Sequence, residues 1–247
     1  MNYRMLVAVA ALCVSGVVSA AEIRLLAAGA TEEIGSELIP AFESATGHKV
    51  VASWVGTVDI RKRLAAGEVF DAVIVGAAEV DIFIAQGKVV SGSRVDLMKS
   101  GVGIAIRAGA LKPDIRSADA LRKTLIDAKS IAYSTGPSGV YVAKLLERMG
   151  IADQVKSKVI TAKTGVRVGT LVARGEAEIG LQQVSELIHE SGIEYVGPLP
   201  GDLQNITVYS AGIHSQGGQP EAAKALINFL AAPAAGVVIR KNGMDPA

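Results

Sequence analysis

Residues Ile131–Gly150, IAYSTGPSGVYVAKLLERMG, decide the fold. Ile131 to Ser134 is a short apolar run that reads as a buried strand. A punctuated turn follows, Gly136-Pro137-Ser138-Gly139-Val140. From Val140 to Met149 the apolar residues Val142, Leu145, Leu146 and Met149 recur at i, i+3, i+4 and i+7, the spacing of one helical face, and Gly150 supplies the stop. A strand feeding a helix through a glycine-rich turn is the unit of α/β architecture.

Outward from this unit the same rhythm repeats. Glu22 to Ala28 predicts a strand, and Ile34, Leu38 and Phe42 predict a helix from Thr31 to Gly47. Lys49 to Trp54 feeds a helix over Val58 to Ala66, and Phe70 to Val75 feeds one over Glu79 to Gln86. Val102 to Arg107 is a strand, and Ser117 caps a helix carrying Leu121 and Leu125. Val159 to Ala162, a helix from Val166 to Ala173, and strands at Ile179 to Gln182 and Ile193 to Val196 continue the alternation. Gly197-Pro198-Leu199-Pro200-Gly201 is a stiff linker. Leu203 to Ile213 is extended, and Pro220 to Ala231 is a late helix with Ala223, Leu226, Ile227 and Leu230 inward. That helix needs a sheet to cover, so the chain is expected to leave a first lobe near residue 100 and return near 200. The expected class is α/β, with two lobes of mainly parallel sheet and a ligand cleft between them: lobe 1 at 21–100 plus 202–247, lobe 2 at 101–201.

The N-terminus carries Arg4, an apolar run from Met5 to Val14 and small residues at Val18-Ser19-Ala20, the pattern of a cleaved secretory signal over residues 1–20. Export to the periplasm is expected, with no membrane insertion after cleavage. Cys13 is the only cysteine and lies inside the signal, so the mature chain has no disulfide or thiolate chemistry. Removing the signal takes away only Arg4 and leaves basic and acidic side chains in equal number, which excludes a nucleic-acid footprint. With 4% aromatic residues and Trp54 as the single tryptophan, stacking platforms are excluded as well. His48, His189 and His214 show no metal-ligand spacing, and neither a metal nor a cofactor is expected.

In parallel α/β sheets ligands collect beyond the carboxyl ends of the strands, where helix N-termini point N–H groups into the crevice. Four turns have that composition: Ala28-Gly29-Ala30-Thr31, Val55-Gly56-Thr57-Val58, Gly136-Pro137-Ser138-Gly139-Val140, and Thr164-Gly165-Val166-Arg167. Each alone is ordinary capping chemistry. Two fall in each expected lobe, so closure would aim all four at one volume. Helix ends carry about half a unit of positive charge each, which suits a small anion. The candidate ligand residues are Gly29, Ala30, Thr31, Gly56, Thr57, Val58, Ser138, Gly139, Val140, Val166 and Arg167, with Arg167 the one full cation.

The run Thr135–Tyr141 with Leu145–Ile151, and the run Val172-Ala173-Arg174-Gly175-Glu176-Ala177-Glu178-Ile179-Gly180, resemble the periplasmic molybdate-binding protein family of ABC transporters over essentially the whole mature chain. The resemblance implies a type II periplasmic-binding-protein fold, a monomer that delivers a small anionic ligand to an ABC permease. Its ligand contacts carry over unevenly. Gly29 beside Ala30 stands where the family has a serine. Thr57 or Val58 stands at the second serine, Ser138 and Val166 at the amide positions, and Gln183 replaces the tyrosine that closes the oxyanion site. Two lost hydroxyl donors, at about 1–3 kcal/mol each, point away from molybdate and toward an organic anion.

Proteins similar to this family include periplasmic aconitate isomerases, which shift a double bond by removing one proton and returning another. Such chemistry needs a base with a pKa near the working pH and cations to hold carboxylates. Glu186, Tyr141 and Arg167 are the candidates for base, proton carrier and clamp. The residues alone lead to a binding protein, with the isomerase as the rival on the same scaffold.

Overall fold

The computed structural model describes residues 20–163 and 165–247. The expected signal, apart from Ala20, and Thr164 of the fourth turn lie outside the described residues. In chain order β1 (Glu22–Ala28), α1 (Glu32–Thr46), β2 (Lys49–Val55), α2 (Thr57–Ala65), β3 (Ala72–Gly76) and α3 (Ala77–Ala85) form three strand–helix units. Then come β4 (Val95–Arg107), α4 (Ala118–Asp127), β5 (Ile131–Tyr133), α5 (Pro137–Arg148), α6 (Ala152–Val155), β6 (Val159–Thr161) and α7 (Val168–Ala173). The chain closes with β7 (Ile179–Gln183), α8 (Val184–Leu187), β8 (Ile193–Pro198), β9 (Ile206–Ile213), α9 (Pro220–Ala231), α10 (Gly236–Lys241) and β10 (Asp245–Pro246).

The strands join in the order β2-β1-β3-β9-β4-β7-β5-β6, with β8 and β10 also paired to β4. The flanks are parallel, β2-β1-β3 on one side and β6-β5-β7 on the other. Between them β9 and β4 run antiparallel to their neighbours. Parallel flanks follow from the strand–helix–strand repeat, since each helix returns the chain to the same sheet end. The 13-residue β4 is the main departure from expectation, in which only Val102–Arg107 was strand. Val95–Gly101 pairs with β9 while Val102–Ile106 pairs with β7, so one strand serves both flanks.

The apolar core is correspondingly divided. One cluster runs from Ile23 through Met98 and resumes at Tyr209 through Met244. Another, from Val102 to Leu199, includes Leu121, Leu125, Val142, Leu145 and Leu146, the stripes read from the sequence. Met149 is partly buried and packs against it, and the same stretch of chain holds a smaller cluster of Ala132, Ala162, Val168, Leu171, Val172 and Ala177. Two glutamines hold the crossing between the cores. Gln204 Oε1 accepts from Val102 N (2.8 Å) and its Nε2 donates to Val102 O (3.0 Å). Gln183, oriented to satisfy both ends of its amide, donates to Gly101 O (3.0 Å) and accepts from Thr207 Oγ1 (3.0 Å) and the Tyr209 hydroxyl (3.3 Å).

Candidate functional site

Turns from both cores line one cavity of ≈ 120 Å³. From the first core come Gly29, Ala30 and Glu32 after β1, Trp54 to Thr57 after β2, and Tyr209 on β9. From the second come Ser134 to Pro137 after β5, Ala162, Lys163 and Gly165 to Arg167 after β6, and Gln182 and Glu186 at the end of β7 and in α8. All four glycine-bearing turns therefore converge. Two of them nearly touch: a Cβ built on Gly56 would stand 3.0 Å from Thr135 Oγ1.

Local sequence explains this placement. Gly139 lies inside α5, where any Cβ would overlap the carbonyl of Ser134, so only glycine lets the end of β5 fold back against its own helix. Pro137 takes the first helical position, where its missing N–H costs nothing, and α5 starts three residues earlier than the apolar stripe predicts. Gly56 caps α2 without a side-chain hydrogen bond. Thr57 beside it is 5% exposed, and its Oγ1 has no hydrogen-bond partner among the described residues. A buried hydroxyl on the wall of a cavity at a helix N-terminus is chemically able to donate to an anion.

Not every expected residue reaches the cavity. Thr31 is buried and donates to Ala28 O (2.8 Å), closing its own turn. Val58 and Val140 face a separate groove that also takes in Arg61 and Ile206. Ser138 is fully buried, its hydroxyl without a partner among the described residues, and Gly139 packs on Ser134. Tyr141 stands away from the cavity, because its hydroxyl donates to Leu203 O (2.8 Å) and accepts from Arg148 (2.6 Å). Gln183 belongs to the strand crossing and leaves the cavity wall to its neighbour Gln182.

Arg167 does line the cavity, but not as a free cation. It precedes the six-residue α7 and donates to Glu32 (3.0 Å), with Glu33 at 2.8 Å, so it ties the second core to the first turn of α1. Burial works against its charge, and the two carboxylates outweigh that and raise its pKa. The sequence reading missed Lys163, a second cation on the wall, together with Trp54, Ser134, Thr135, Gln182 and Tyr209. Lys163 sits one residue before the fourth quoted turn, a signal that was available. Tyr209 carried a weaker one, since a tyrosine buried in a core strand must find a polar partner.

Glu186 is the chemically distinctive group. Ser185 donates to Ala30 O (2.9 Å) across the two cores and so seats α8 over the first turn, with Glu186 Oε1 3.7 Å from a Cβ placed on Gly29. Glu186 is partly accessible and lines the cavity. Burial pushes its pKa up to about 7, against the opposing pull of Arg167 and of the Gln182 amide, which donates to it at 2.7 Å. Tyr209, fully buried, is held well above its usual range by burial and then by the charge of Glu186.

Residues 23–245 match the model of the bacterial extracellular solute-binding protein family. Among curated relatives, the aconitate isomerase of a Pseudomonas species is 41% identical, the alignment covering 85% of this chain and 82% of that one. A molybdate-binding protein of Azotobacter vinelandii is 28% identical over 97% and 96% of the two chains. The solved periplasmic molybdate-binding protein of the same organism superposes with a TM-score of 0.76 at 19% identity, covering 90% of this chain and 98% of that one. By its sequence, its split α/β core and its cavity of helix-capping turns, the chain belongs to the bacterial extracellular solute-binding protein family.

Proposed function

We propose that this chain is a periplasmic aconitate isomerase that interconverts cis- and trans-aconitate in the cavity between two lobes, 21–100 with 202–247 and 101–201. The observation that carries the reading is Glu186. A pocket built only to hold an anion is served better by a glutamine than by a carboxyl group on its wall, since the ionised form repels the ligand. A carboxyl group with a pKa of about 7 is suited to take up and return a proton at neutral pH. The relative at 41% identity with the name aconitate isomerase supports the same reading.

In this mechanism the substrate carboxylates rest on the Thr57 hydroxyl and the α2 N-terminus, on Lys163, and on Arg167 as it exchanges Glu32 and Glu33 for the ligand. Ionised Glu186 removes a proton from the CH2 carbon next to the double bond. The electron pair left behind spreads over the allylic system into a carboxylate, which becomes an enolate-like dianion, so the substrate carries one negative charge more than before, stabilised by the same donors. Glu186, now neutral, returns the proton to the former vinyl carbon. The double bond has moved by one carbon, and rotation before reprotonation sets its new geometry. One proton leaves and one is returned, so no co-reactant is consumed.

The test is incubation of the purified protein with cis-aconitate, following the vinyl proton signals of the two isomers by NMR. Formation of trans-aconitate by wild-type protein and its loss in Glu186→Gln is the expected result. Ligand-induced thermal stabilisation without turnover would overturn it in favour of a carrier that hands an organic anion to an ABC permease.

A further inference from the structure

We propose that Gln182 is a positioning residue for Glu186, holding one carboxylate oxygen and leaving the other as the atom that carries the proton. The inference rests on the reading of Glu186 as the proton carrier. Gln182 is buried at the end of β7, and both ends of its amide are engaged. Its Oε1 accepts from Val168 N at 3.1 Å, and its Nε2 donates to Glu186 Oε1 at 2.7 Å. A backbone N–H can only donate, so Val168 fixes which end of the amide turns toward α7 and which toward α8. A flipped amide would set NH2 against N–H and carbonyl against carboxylate. The first turn of α7 therefore dictates that Glu186 receives a donor.

Two consequences follow. Glu186 Oε1 is occupied by Gln182, so Oε2 is the oxygen available to the substrate carbon. The donated bond also favours the ionised form, opposing the burial that favours the acid. The other charged and titratable groups around Glu186 are Arg167 before α7, Glu32 on α1, Tyr209 on β9 and Lys163 on the cavity wall. None of them is fixed by a backbone group in this way: Arg167 is shared with two carboxylates, and Lys163 is exposed.

Two variants separate positioning from simple packing. Gln182→Glu keeps an acceptor for Val168 N but sets a second carboxyl group against Glu186. Gln182→Met keeps the bulk and removes both hydrogen bonds. The measurement is the titration of Glu186, read by carbon NMR on glutamate-labelled protein and assigned by the signal lost in Glu186→Gln. The same variants give the acid limb of kcat/KM for cis-aconitate. The expected result is a midpoint raised by a pH unit or more in both variants. A matching shift of the acid limb should lower activity at pH 6 about tenfold, mostly in kcat. If Gln182→Glu does not fold, Gln182→Met decides alone. Midpoints equal to wild type in the folded variants would overturn the proposal. Because the titration needs no turnover, an inactive wild-type protein would sink the isomerase reading and still leave the role of Gln182 to be judged by NMR.

Discussion

Replacing Glu186 by glutamine should change the protein in two ways that share one pH dependence. The folded carboxyl group titrates at about 7 against an ordinary value of 4.5. A raised carboxylate pKa means that the folded state holds the proton more tightly, so the group costs nothing below pH 4.5. Its penalty grows between 4.5 and 7 and is complete above 7. The difference of about 2.5 units corresponds to about 3 kcal/mol at most. Empty Glu186→Gln protein should therefore melt with wild type at pH 4.5 and about 6–12 °C above it at pH 8, at about 2–4 °C per kcal/mol for a chain of this size. Ligand binding gives an independent arm. If an inert tricarboxylate, propane-1,2,3-tricarboxylate, binds with Glu186 neutral, wild-type affinity falls with the neutral fraction, which is about one half at pH 7 and about one in eleven at pH 8. The variant, always neutral, should bind about twofold tighter at pH 7, about tenfold tighter at pH 8 and equally at pH 6. Trp54 is the single tryptophan and lines the cavity, so its fluorescence reports the titration without a label. A melting difference and an affinity ratio that both stay flat from pH 5 to 8 would refute the placement of a proton-holding carboxyl group on the cavity wall.

Thr57→Val removes a hydroxyl that has no partner among the described residues, so its melting temperature should not fall; affinity for the tricarboxylate, by calorimetry, should drop by about 1–3 kcal/mol, or roughly five- to 160-fold. Gly139→Ala should lose about 1–3 kcal/mol in urea unfolding, because the new methyl group meets the rigid backbone of Ser134 and must push the β5–α5 turn out of the cavity wall. His214 is held below its ordinary pKa, first by burial, so the fold favours its neutral form; the stability this gives is complete above pH 6.5 and lost as pH falls through the lower folded value. His214→Gln, which can still donate to Phe70 O, should flatten that acid limb in thermal melts between pH 4 and 6.5.

What the sequence revealed depended on how local the determining physics was. The helical stripes of α1, α4, α5 and α9 are short-range patterns, and their buried residues match the expected ones, Ile34, Leu38 and Phe42 in α1 and Leu121 and Leu125 in α4. Helix starts depend on a single turn and were displaced where proline or glycine intervened, as at Pro137 and at Arg167, whose helix begins only at Val168. The convergence of the four turns was legible because strand–helix alternation aims them all at one sheet end. The side chains that finish the cavity were not legible in the same way. Gln182 and Gln183 are adjacent on β7 and alternate faces, so one enters the cavity and the other the strand crossing, and only the pairing partners of that strand decide which. Tyr209 reaches the site because β9 runs antiparallel beside β3, a pairing between residues far apart in the chain.

The choice between carrier and enzyme turns on the balance of charge in one small volume. An ionised carboxylate about 5 Å from one charge of a bound anion opposes it by about 3 kcal/mol at an effective dielectric of about 20. A carrier could recover that by exchanging Glu186 for glutamine with no loss of packing, since Gln182 would still find an acceptor. Arg167 does not offset it freely either, because it is already matched by Glu32 and Glu33. Affinity alone thus gives no reason for a carboxyl group to be seated over the first turn by Ser185 and steadied by Gln182. Proton transfer does, because the repulsion ends at the moment Glu186 takes the proton from the ligand. The electrostatic cost in the bound state then becomes part of the driving force for the step, which is the condition under which a strained ground state raises a rate instead of only weakening binding.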